Sequence, residues 1–228
     1  MNSAGLEKCR ASFEASRREA PQDKAFSTCP HLRSATGCVS LSNKGRVAGG
    51  AEWYDGGMTA YGFALFDTVI GRCGVAWSDR GLVGVQLPEA GEAEARARML
   101  QRFPAAAETA PPPKERLAID GIVALLQGEP RDLSAIALDM EGVAPFHRRV
   151  YEVARMIPPG KTLAYGEVAA RLGAAGAARA VGQALGHNPF PIVVPCHRVL
   201  AAGGKIGGFS AHGGTATKRR MLAIERGE

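Results

Sequence analysis

Two side chains that could act as nucleophile and base stand next to each other near the C-terminal end of the chain. Cys196 and His197 follow an apolar run that ends at Pro195, and Arg198 comes directly after them. Thiolate is the reactive form of cysteine, and a neighbouring base or cation makes it easier to form. Because Pro195 fixes its own φ and favours an extended residue before it, we expect a sharp turn that holds Cys196 at the bottom of a cleft.

The directions of Cys196 and His197 limit how the two could cooperate. In a regular strand, adjacent side chains point to opposite faces, so a proton could pass between them only across a turn or through a bridging water. The alternative is a buried structural cysteine beside a surface histidine. These residues by themselves leave both interpretations open.

The residues around this segment predict three helices. Apolar side chains share one face over 145–157, and Pro158-Pro159-Gly160 ends that helix. A second helix is predicted over 165–172 and a third over 177–186, joined by a short turn that contains glycine. This is the helix-turn-helix arrangement of many DNA-binding domains.

The third predicted helix is unusual for a helix that reads DNA sequence. It consists mostly of alanine and glycine, and Arg179 is the lone long side chain near its start. It lacks the set of side chains that makes paired hydrogen bonds to base edges. Small residues do allow close approach to a narrow groove, where one arginine could enter the base stack. The alternative is an alanine-rich packing helix with Arg179 in a surface ion pair.

The preceding part of the chain predicts a small sheet with helices. Three short apolar segments separated by turns predict an antiparallel meander: 61–66, 72–77 and 82–87. Helices are predicted over 89–103 and 114–127, with Leu117 of the second facing inward, and a further strand is predicted over 136–140. The fold class is therefore α+β, with an N-terminal α/β domain over 58–141 and a helical domain over 145–228.

Residues 1–57 have scattered glycine, serine and charge without sustained periodicity, so we predict a mostly disordered tail or extension. The functional part of the chain could begin at Met58. Cys29, His31 and Cys38 lie close together, but three irregularly spaced ligands fall short of the four of a structural zinc site. No metal site is predicted.

The charge is concentrated in the C-terminal third of the chain. Twelve Lys/Arg against four Asp/Glu give residues 145–228 a balance of +8, whereas the first 144 residues carry −2. Such a surface suits a nucleic-acid partner, although ordinary solubility charge is the alternative. Five cysteines in no regular framework, no secretory signal and no long apolar run predict a cytoplasmic protein with free thiols and no membrane span.

Several motifs in the C-terminal third resemble those of one family. They are Tyr165, Ala177–Gly182, Asn188-Pro189, Pro195–Val199, Gly208–Ser210 and Met221–Glu225. Taken together they resemble the O6-alkylguanine-DNA alkyltransferases, or methylated-DNA–protein-cysteine methyltransferases. The resemblance is almost continuous over 145–228, weak over 60–141 and absent from 1–57. It implies a ribonuclease H-like N-terminal domain and a winged-helix-like C-terminal domain.

The resemblance implies irreversible, single-turnover repair. O6-alkylguanine in double-stranded DNA, with O4-alkylthymine as a second candidate, would be flipped out of the duplex from the minor groove. Cys196 would accept the alkyl group while His197 takes the thiol proton through a water, and Glu225 would orient His197. No cofactor is implied, and a thioether is a poor leaving group, so each monomeric protein molecule would act once.

The resemblance also assigns residues that hold the DNA and the base. Tyr165 would promote flipping and stabilise the departing guanine, and Arg179 would fill the gap in the base stack. The further DNA- or base-binding positions that it implies are Ala178, Asn188, Val199 and Ser210. Asn188 would in addition brace the turn beneath the cysteine, and Arg198 would be structural.

Three features depart from the family pattern. Phe209 replaces a common tyrosine, the 211–218 loop over the pocket is slightly longer than in some relatives, and Ala164 stands where a serine or threonine would cap the helix. Three other functions stay open. A lesion-binding relative would lack the nucleophile, a helix-turn-helix regulator would need base-reading side chains, and a cysteine hydrolase would need an oxyanion-hole motif.

Overall fold

The computed structural model describes residues 61–228, which lie within one compact unit, Val47–Glu228. We call residues 61–141 the N-terminal lobe and residues 145–228 the C-terminal lobe. The domain boundaries at 57/58 and 141/145 stay predictions. The predicted tail, with Cys29, His31 and Cys38, lies outside the described residues.

The meander predicted for the N-terminal lobe is confirmed. Strands β1 (Gly62–Thr68), β2 (Gly71–Ser78) and β3 (Gly81–Gln86) pair antiparallel in sequence order. A fourth strand, β4 (Ala107–Glu108), pairs parallel with β1 and gives the order β3-β2-β1-β4. The sequence did not indicate β4, because two residues are too few to show an alternating pattern.

One helix packs on each face of this sheet. Helix α1 (Glu92–Arg102) buries Met99 against one face, and helix α2 (Pro113–Leu126) buries Ile119 and Ile122 against the other. The prediction that Leu117 faces inward was wrong, since its side chain is 72% exposed. The buried side of α2 instead contains Ile119 and Ile122, because the side of the helix that packs against the sheet is the side removed from water.

The strand predicted over 136–140 was also wrong. Only Leu138 forms an isolated bridge, with Leu82 of β3. Two backbone bonds join the segment to Leu82, one from the Leu82 N–H to the carbonyl of Ala137 at 3.0 Å and one from the Asp139 N–H to the carbonyl of Leu82 at 2.8 Å. The carboxylate of Asp139 also accepts hydrogen bonds from Ser78 Oγ at 2.7 Å and from Arg80 at 3.1 Å. The pairing stops after this one bridge, and a strand pattern does not reveal where pairing stops or which side-chain bonds replace it.

The C-terminal lobe contains the three predicted helices. They are α3 (Pro145–Arg155), α4 (Tyr165–Arg171) and α5 (Ala178–Gly186), with the turn 172–177 between the last two. A sixth helix, α6 (Gly214–Arg226), closes the lobe and was not predicted. Short strands β5 (Leu163–Ala164) and β6 (Val199–Leu200) pair in parallel. The described chain is thus a mixed α+β fold with a small sheet and six α-helices.

Two hydrophobic clusters meet at the segment before Cys196. Ile192 and Val193 belong to the cluster between the sheet and α2, which also takes Met221 of α6. Val194 and Cys196 belong to the cluster among α3, α4 and α5. The apolar run is therefore buried on both sides and is fixed by both lobes. Over residues 61–228, no helix is long and apolar enough to cross a membrane.

Candidate active site

The turn predicted at Pro195 is a short 3-10 helix, Cys196–Arg198. It places Cys196 and His197 on successive positions of a tight turn rather than on opposite faces of a strand. The approach to it is strained, because buried Ile192 has φ +75°, a backbone conformation that β-branched residues rarely adopt. The surrounding packing holds this conformation in place.

Asn188 braces this turn from below. Its Nδ2 donates to the carbonyl of Val194 at 2.9 Å, and its Oδ1 accepts from the backbone N–H of Phe190 at 2.9 Å. The side chain is 6% exposed and thus satisfies backbone groups that water cannot reach. Asn188 also hydrogen-bonds the thiol of Cys196, so the brace and the reactive group are directly coupled.

The structure joins His197 to Glu225, which lies on the last turn of α6. His197 Nε2 is 2.8 Å from Glu225 Oε1, and both side chains are almost completely buried. Arg198 donates to the same carboxylate from Nε and Nη2, and its Nη1 donates to the carbonyl of Ile157 at 2.6 Å. Arg198 therefore pairs inside the fold, which agrees with the structural role that the family resemblance implies.

These contacts determine the charges of the pair. Burial opposes ionisation of Glu225, but the hydrogen bonds from His197 and Arg198 outweigh it and lower its pKa to about 2. Burial lowers the pKa of His197, and the favourable effect of Glu225 is smaller. The imidazole is therefore neutral at pH 7 with its Nε2–H donated to the carboxylate. Nδ1 is buried without a hydrogen-bond partner among the described residues, which leaves its lone pair available as a base.

Cys196 is a buried, free thiol whose own environment does not ionise it. Burial raises its pKa, while the bond from Asn188 and the positive charge of Lys218 act in the opposite direction. The thiol thus needs a base to become a nucleophile. Deprotonation of a thiol is favoured where a neutral imidazole and a cation lie close to the sulfur.

Lys218 is a site residue that the sequence did not reveal. It is fully buried on α6, and its Nζ donates to the carbonyl of Val199 at 2.7 Å. The ammonium lies 5.9 Å from the ring centroids of both Tyr165 and Phe209. Burial above all, and Cys196 in addition, raise the pKa of Tyr165, so its hydroxyl stays protonated. The signal that could have identified Lys218 is its position two helical turns before Glu225, on the same side as buried Met221 and Leu222.

The remaining predicted residues lie at two places around this cluster. Val199 is fully buried, and its carbonyl already accepts from Lys218. Ser210 is exposed, and its Oγ donates a hydrogen bond to the carbonyl of Gly186 at 3.3 Å. Ala178 and Arg179 lie at the start of α5 with the arginine exposed, and no hydrogen bond within residues 61–228 joins them to the cysteine cluster.

A cavity of about 490 Å³ opens beside Cys196. Asn188, Phe209 and Ser210 of the C-terminal lobe line it together with residues of β3 and α1. The N-terminal lobe therefore contributes to the site, although its sequence contains no recognisable catalytic motif. In the described part of the chain, no group of three or more His, Cys, Asp or Glu residues could hold a metal ion.

Comparison with known proteins matches this chain to one family. The family described as "6-O-methylguanine DNA methyltransferase, DNA binding domain" matches residues 145–227. The methylated-DNA–protein-cysteine methyltransferase of Methanothermobacter thermautotrophicus is 37% identical over 67% of this chain and 78% of its own length. This chain belongs to the methylated-DNA–protein-cysteine methyltransferase family.

Other members extend the match to both lobes. The methylated-DNA–protein-cysteine methyltransferase of Mycolicibacterium paratuberculosis is 49% identical, over 48% of this chain. That alignment spans 64% of the relative's length, a little under two thirds. The crystal structure of Mycobacterium tuberculosis O6-methylguanine methyltransferase has a TM-score of 0.60 at 34% identity and covers 73% of this chain and 93% of the other. A structure of Mycobacterium tuberculosis OGT in complex with DNA matches with a TM-score of 0.57, 32% identity and coverage of 72% and 92%.

Proposed function

We propose that this protein repairs DNA by moving an alkyl group from O6 of guanine to Cys196, in one irreversible turnover. The observation that carries the proposal is the buried arrangement of Cys196, His197 and Glu225 in a chain of the methylated-DNA–protein-cysteine methyltransferase family. The substrate is O6-methylguanine in double-stranded DNA, and O4-alkylthymine is a second candidate. The protein acts as a monomer in the cytoplasm, where the free thiols of Cys73 and Cys196 stay reduced.

The first step is deprotonation of the thiol. Glu225 is ionised and accepts the Nε2–H of His197, which fixes the tautomer that leaves the Nδ1 lone pair free. A water carries the thiol proton of Cys196 to that nitrogen. The carboxylate then stabilises the imidazolium that forms, and Lys218 stabilises the thiolate.

The second step is the transfer itself. The sulfur of Cys196 attacks the alkyl carbon, the S–C bond forms, and the bond from that carbon to O6 of guanine breaks. Tyr165, whose hydroxyl stays protonated, hydrogen-bonds the departing base. The proton that His197 took from the thiol then passes to the guanine. The net change moves one alkyl group to the sulfur of Cys196 and one proton to the base.

DNA binding follows from the C-terminal lobe. Helices α4 and α5, joined by the turn 172–177, support a helix-turn-helix unit. In this proposal the C-terminal lobe is winged-helix-like and the N-terminal lobe, a sheet with a helix on each face, is ribonuclease H-like. The exposed Arg179 at the start of α5 enters the space that the flipped base leaves, beside the small Ala178. Ser210 and the backbone of Val199 hold the base.

Intact-mass spectrometry after incubation with a duplex that carries O6-methylguanine tests the transfer. We expect the protein to gain one methyl group, located on Cys196 by peptide mapping and absent from Cys196→Ala. Protein that binds the duplex but gains no mass would refute the transfer and favour a lesion-binding function.

A second experiment tests the role of Arg179. We expect Arg179→Ala to slow repair of the duplex far more than it slows reaction with free O6-benzylguanine, because the free base needs no flipping. Arg116→Ala removes an exposed arginine of α2 and serves as the charge-matched control. Equal slowing of both reactions by Arg179→Ala would rule out the role.

A further inference from the structure

The segment 157–161, which follows helix α3, touches both members of the buried ion pair beside His197. The carbonyl of Ile157 accepts a hydrogen bond from Arg198 Nη1 at 2.6 Å. Three residues later, the backbone N–H of Gly160 donates to Glu225 Oε2 at 3.2 Å. A buried ion pair offsets its desolvation only when the remaining donors and lone pairs of both partners are hydrogen-bonded. One short segment thus supplies an acceptor to the cation and a donor to the carboxylate.

The shape of this segment follows from its sequence, since residues 158–161 read Pro-Pro-Gly-Lys. The N–H of Lys161 donates to the carbonyl of Pro158 at 3.1 Å and closes a four-residue turn. Gly160, at the third position of the turn, has φ +73°. A proline at the second position and a left-handed glycine at the third are the pattern of a type II turn. The local sequence therefore favours this turn type before any tertiary contact forms.

The turn type decides which group of the central peptide faces Glu225. Type I and type II turns differ mainly by a half-rotation of the peptide that joins their second and third residues. In the type II form the N–H of Gly160 donates to the carboxylate. In the type I form the carbonyl of Pro159 would face that carboxylate instead, and the two oxygens would repel each other. Glycine permits the favourable form, because other residues are strained at φ +73°.

Contact between the turn 158–161 and helix α6 is close. A Cβ at Gly160 would lie 3.0 Å from the backbone carbonyl oxygen of Glu225, which is tighter than ordinary van der Waals contact. The Oε1 atom of Glu225 lies 2.8 Å from His197 Nε2, and its Oε2 atom accepts from Gly160 and Arg198. One carboxylate oxygen therefore holds the base, while the turn helps to fix the other.

We propose that the turn 158–161 positions the carboxylate of Glu225 for alkyl transfer, and that Gly160 is its positioning residue. The N–H of Gly160 holds the carboxylate where it orients His197, and His197 takes the thiol proton. Gly160 is not among the described residues that line the cavity beside Cys196, so it acts through Glu225. The inference rests on the proposed function and adds a positioning residue to it.

Replacement of Gly160 by glycolic acid in cell-free translation tests the hydrogen bond alone. The resulting ester lacks the N–H, adds no side chain and keeps the freedom of glycine at φ. We expect the maximum first-order rate of benzyl transfer from free O6-benzylguanine to fall on the order of tenfold, because a hydrogen bond to a charged group is lost. The half-saturating concentration should stay unchanged, since the cavity keeps its lining. An unchanged maximum rate, or a change confined to the half-saturating concentration, would overturn the proposal.

Two substitutions test the orientation of the central peptide. Gly160→Ala disfavours φ +73° and thus favours the type I form, so it should slow transfer at least as much as the ester does. Gly160→Asn adds the same Cβ, but asparagine adopts positive φ more readily and should restore part of the rate.

Gly204→Ala is the matched control for backbone strain. Gly204 also has φ +73°, and a Cβ at that position would meet nothing within 4 Å. This variant should transfer the benzyl group at the wild-type rate. Equal slowing by Gly160→Ala and Gly204→Ala, or no recovery in Gly160→Asn, would contradict the role of the peptide orientation.

Iodoacetamide labelling of Cys196, located by peptide mapping, separates this proposal from the proposed function. Labelling measures how readily the thiolate forms and needs no alkylated base. The glycolic acid variant should be labelled more slowly than the wild type at pH 7, by a factor similar to that for transfer. Slower labelling of the variant, with no methyl transfer by the wild type, would support the positioning and refute the repair function. Methyl transfer by the wild type, with labelling and transfer equally fast in the variant, would refute the positioning alone.

Discussion

Glu225→Gln is the substitution that tests the buried charge arrangement most directly. The carboxylate accepts hydrogen bonds from His197, from Arg198 and from the backbone N–H of Gly160. Glutamine retains the size of the side chain but removes its charge, and its amide group brings donors to a place that is already rich in donors. Arg198, 5% exposed, would lose its ionic partner. Removal of one member of a buried pair typically costs about 3–5 kcal/mol.

The pKa of Glu225 gives a second magnitude. Its pKa is about 2 in the folded protein and 4.5 ordinarily, a depression that corresponds to about 3 kcal/mol of stability at neutral pH. Because the folded pKa is the lower one, this contribution is present above pH 4.5 and is lost as pH falls toward 2. The stability difference between wild type and Glu225→Gln should therefore be about 3 kcal/mol at pH 7. At pH 3 it should fall by more than half.

Urea unfolding followed by circular dichroism at the two pH values measures this difference. Methyl transfer should also slow by roughly 10²- to 10⁴-fold, the usual contribution of a general base, because His197 loses the group that orients and charges it. Glu228→Gln is the control, since that carboxylate is exposed and lies 3.8 Å from Arg226. A stability loss of the same size at pH 3 and pH 7, or unchanged transfer, would refute the assigned charges.

Two further substitutions probe other parts of the site. Lys218→Met should raise the pKa of the Cys196 thiol and slow methyl transfer on the order of tenfold or more, because a cation beside the thiolate is lost; the pH profile of iodoacetamide labelling measures the pKa, and an unchanged profile would contradict the coupling. Ala164→Ser should stabilise the fold by ~1 kcal/mol in urea unfolding, because Glu167 already accepts from the Ala164 N–H at 2.5 Å and serine would complete the capping box. No gain in stability would mean that the serine hydroxyl does not reach the helix.

Local pattern was sufficient where neighbours along the chain decide the structure. The three strands of the meander and helices α1 to α5 follow from periodicity and from turn residues, with ends shifted by a few positions. The strand predicted over 136–140 was wrong because the segment pairs with β3 at a single bridge and is otherwise held by side-chain bonds such as that of Asp139, and alternation of apolar residues does not show where pairing stops. The prediction that Leu117 faces inward was wrong because this helix has apolar residues on several sides, and packing against the sheet decides which side is buried.

The candidate site divides in the same way. Cys196, His197 and Asn188 stand close together in the chain, so sequence alone indicated a reactive turn, and the family resemblance supplied Glu225. Lys218 escaped notice because a lysine on a polar helix is normally a solvent-exposed charge, and its complete burial is visible only when α6 is packed.

The sequence by itself therefore determined a candidate nucleophile, a candidate base beside it, the spacing of helices α4 and α5 and the basic C-terminal lobe, because each depends on residue type and short spacing. The tertiary structure decided the charge state of His197 and Glu225, the burial of Lys218 and the cavity between the lobes. These depend on desolvation and on contacts between residues far apart in the chain, such as the 2.8 Å contact of His197 with Glu225. The residue types around Cys196 are a local property of the chain, whereas their burial and charge depend on the fold.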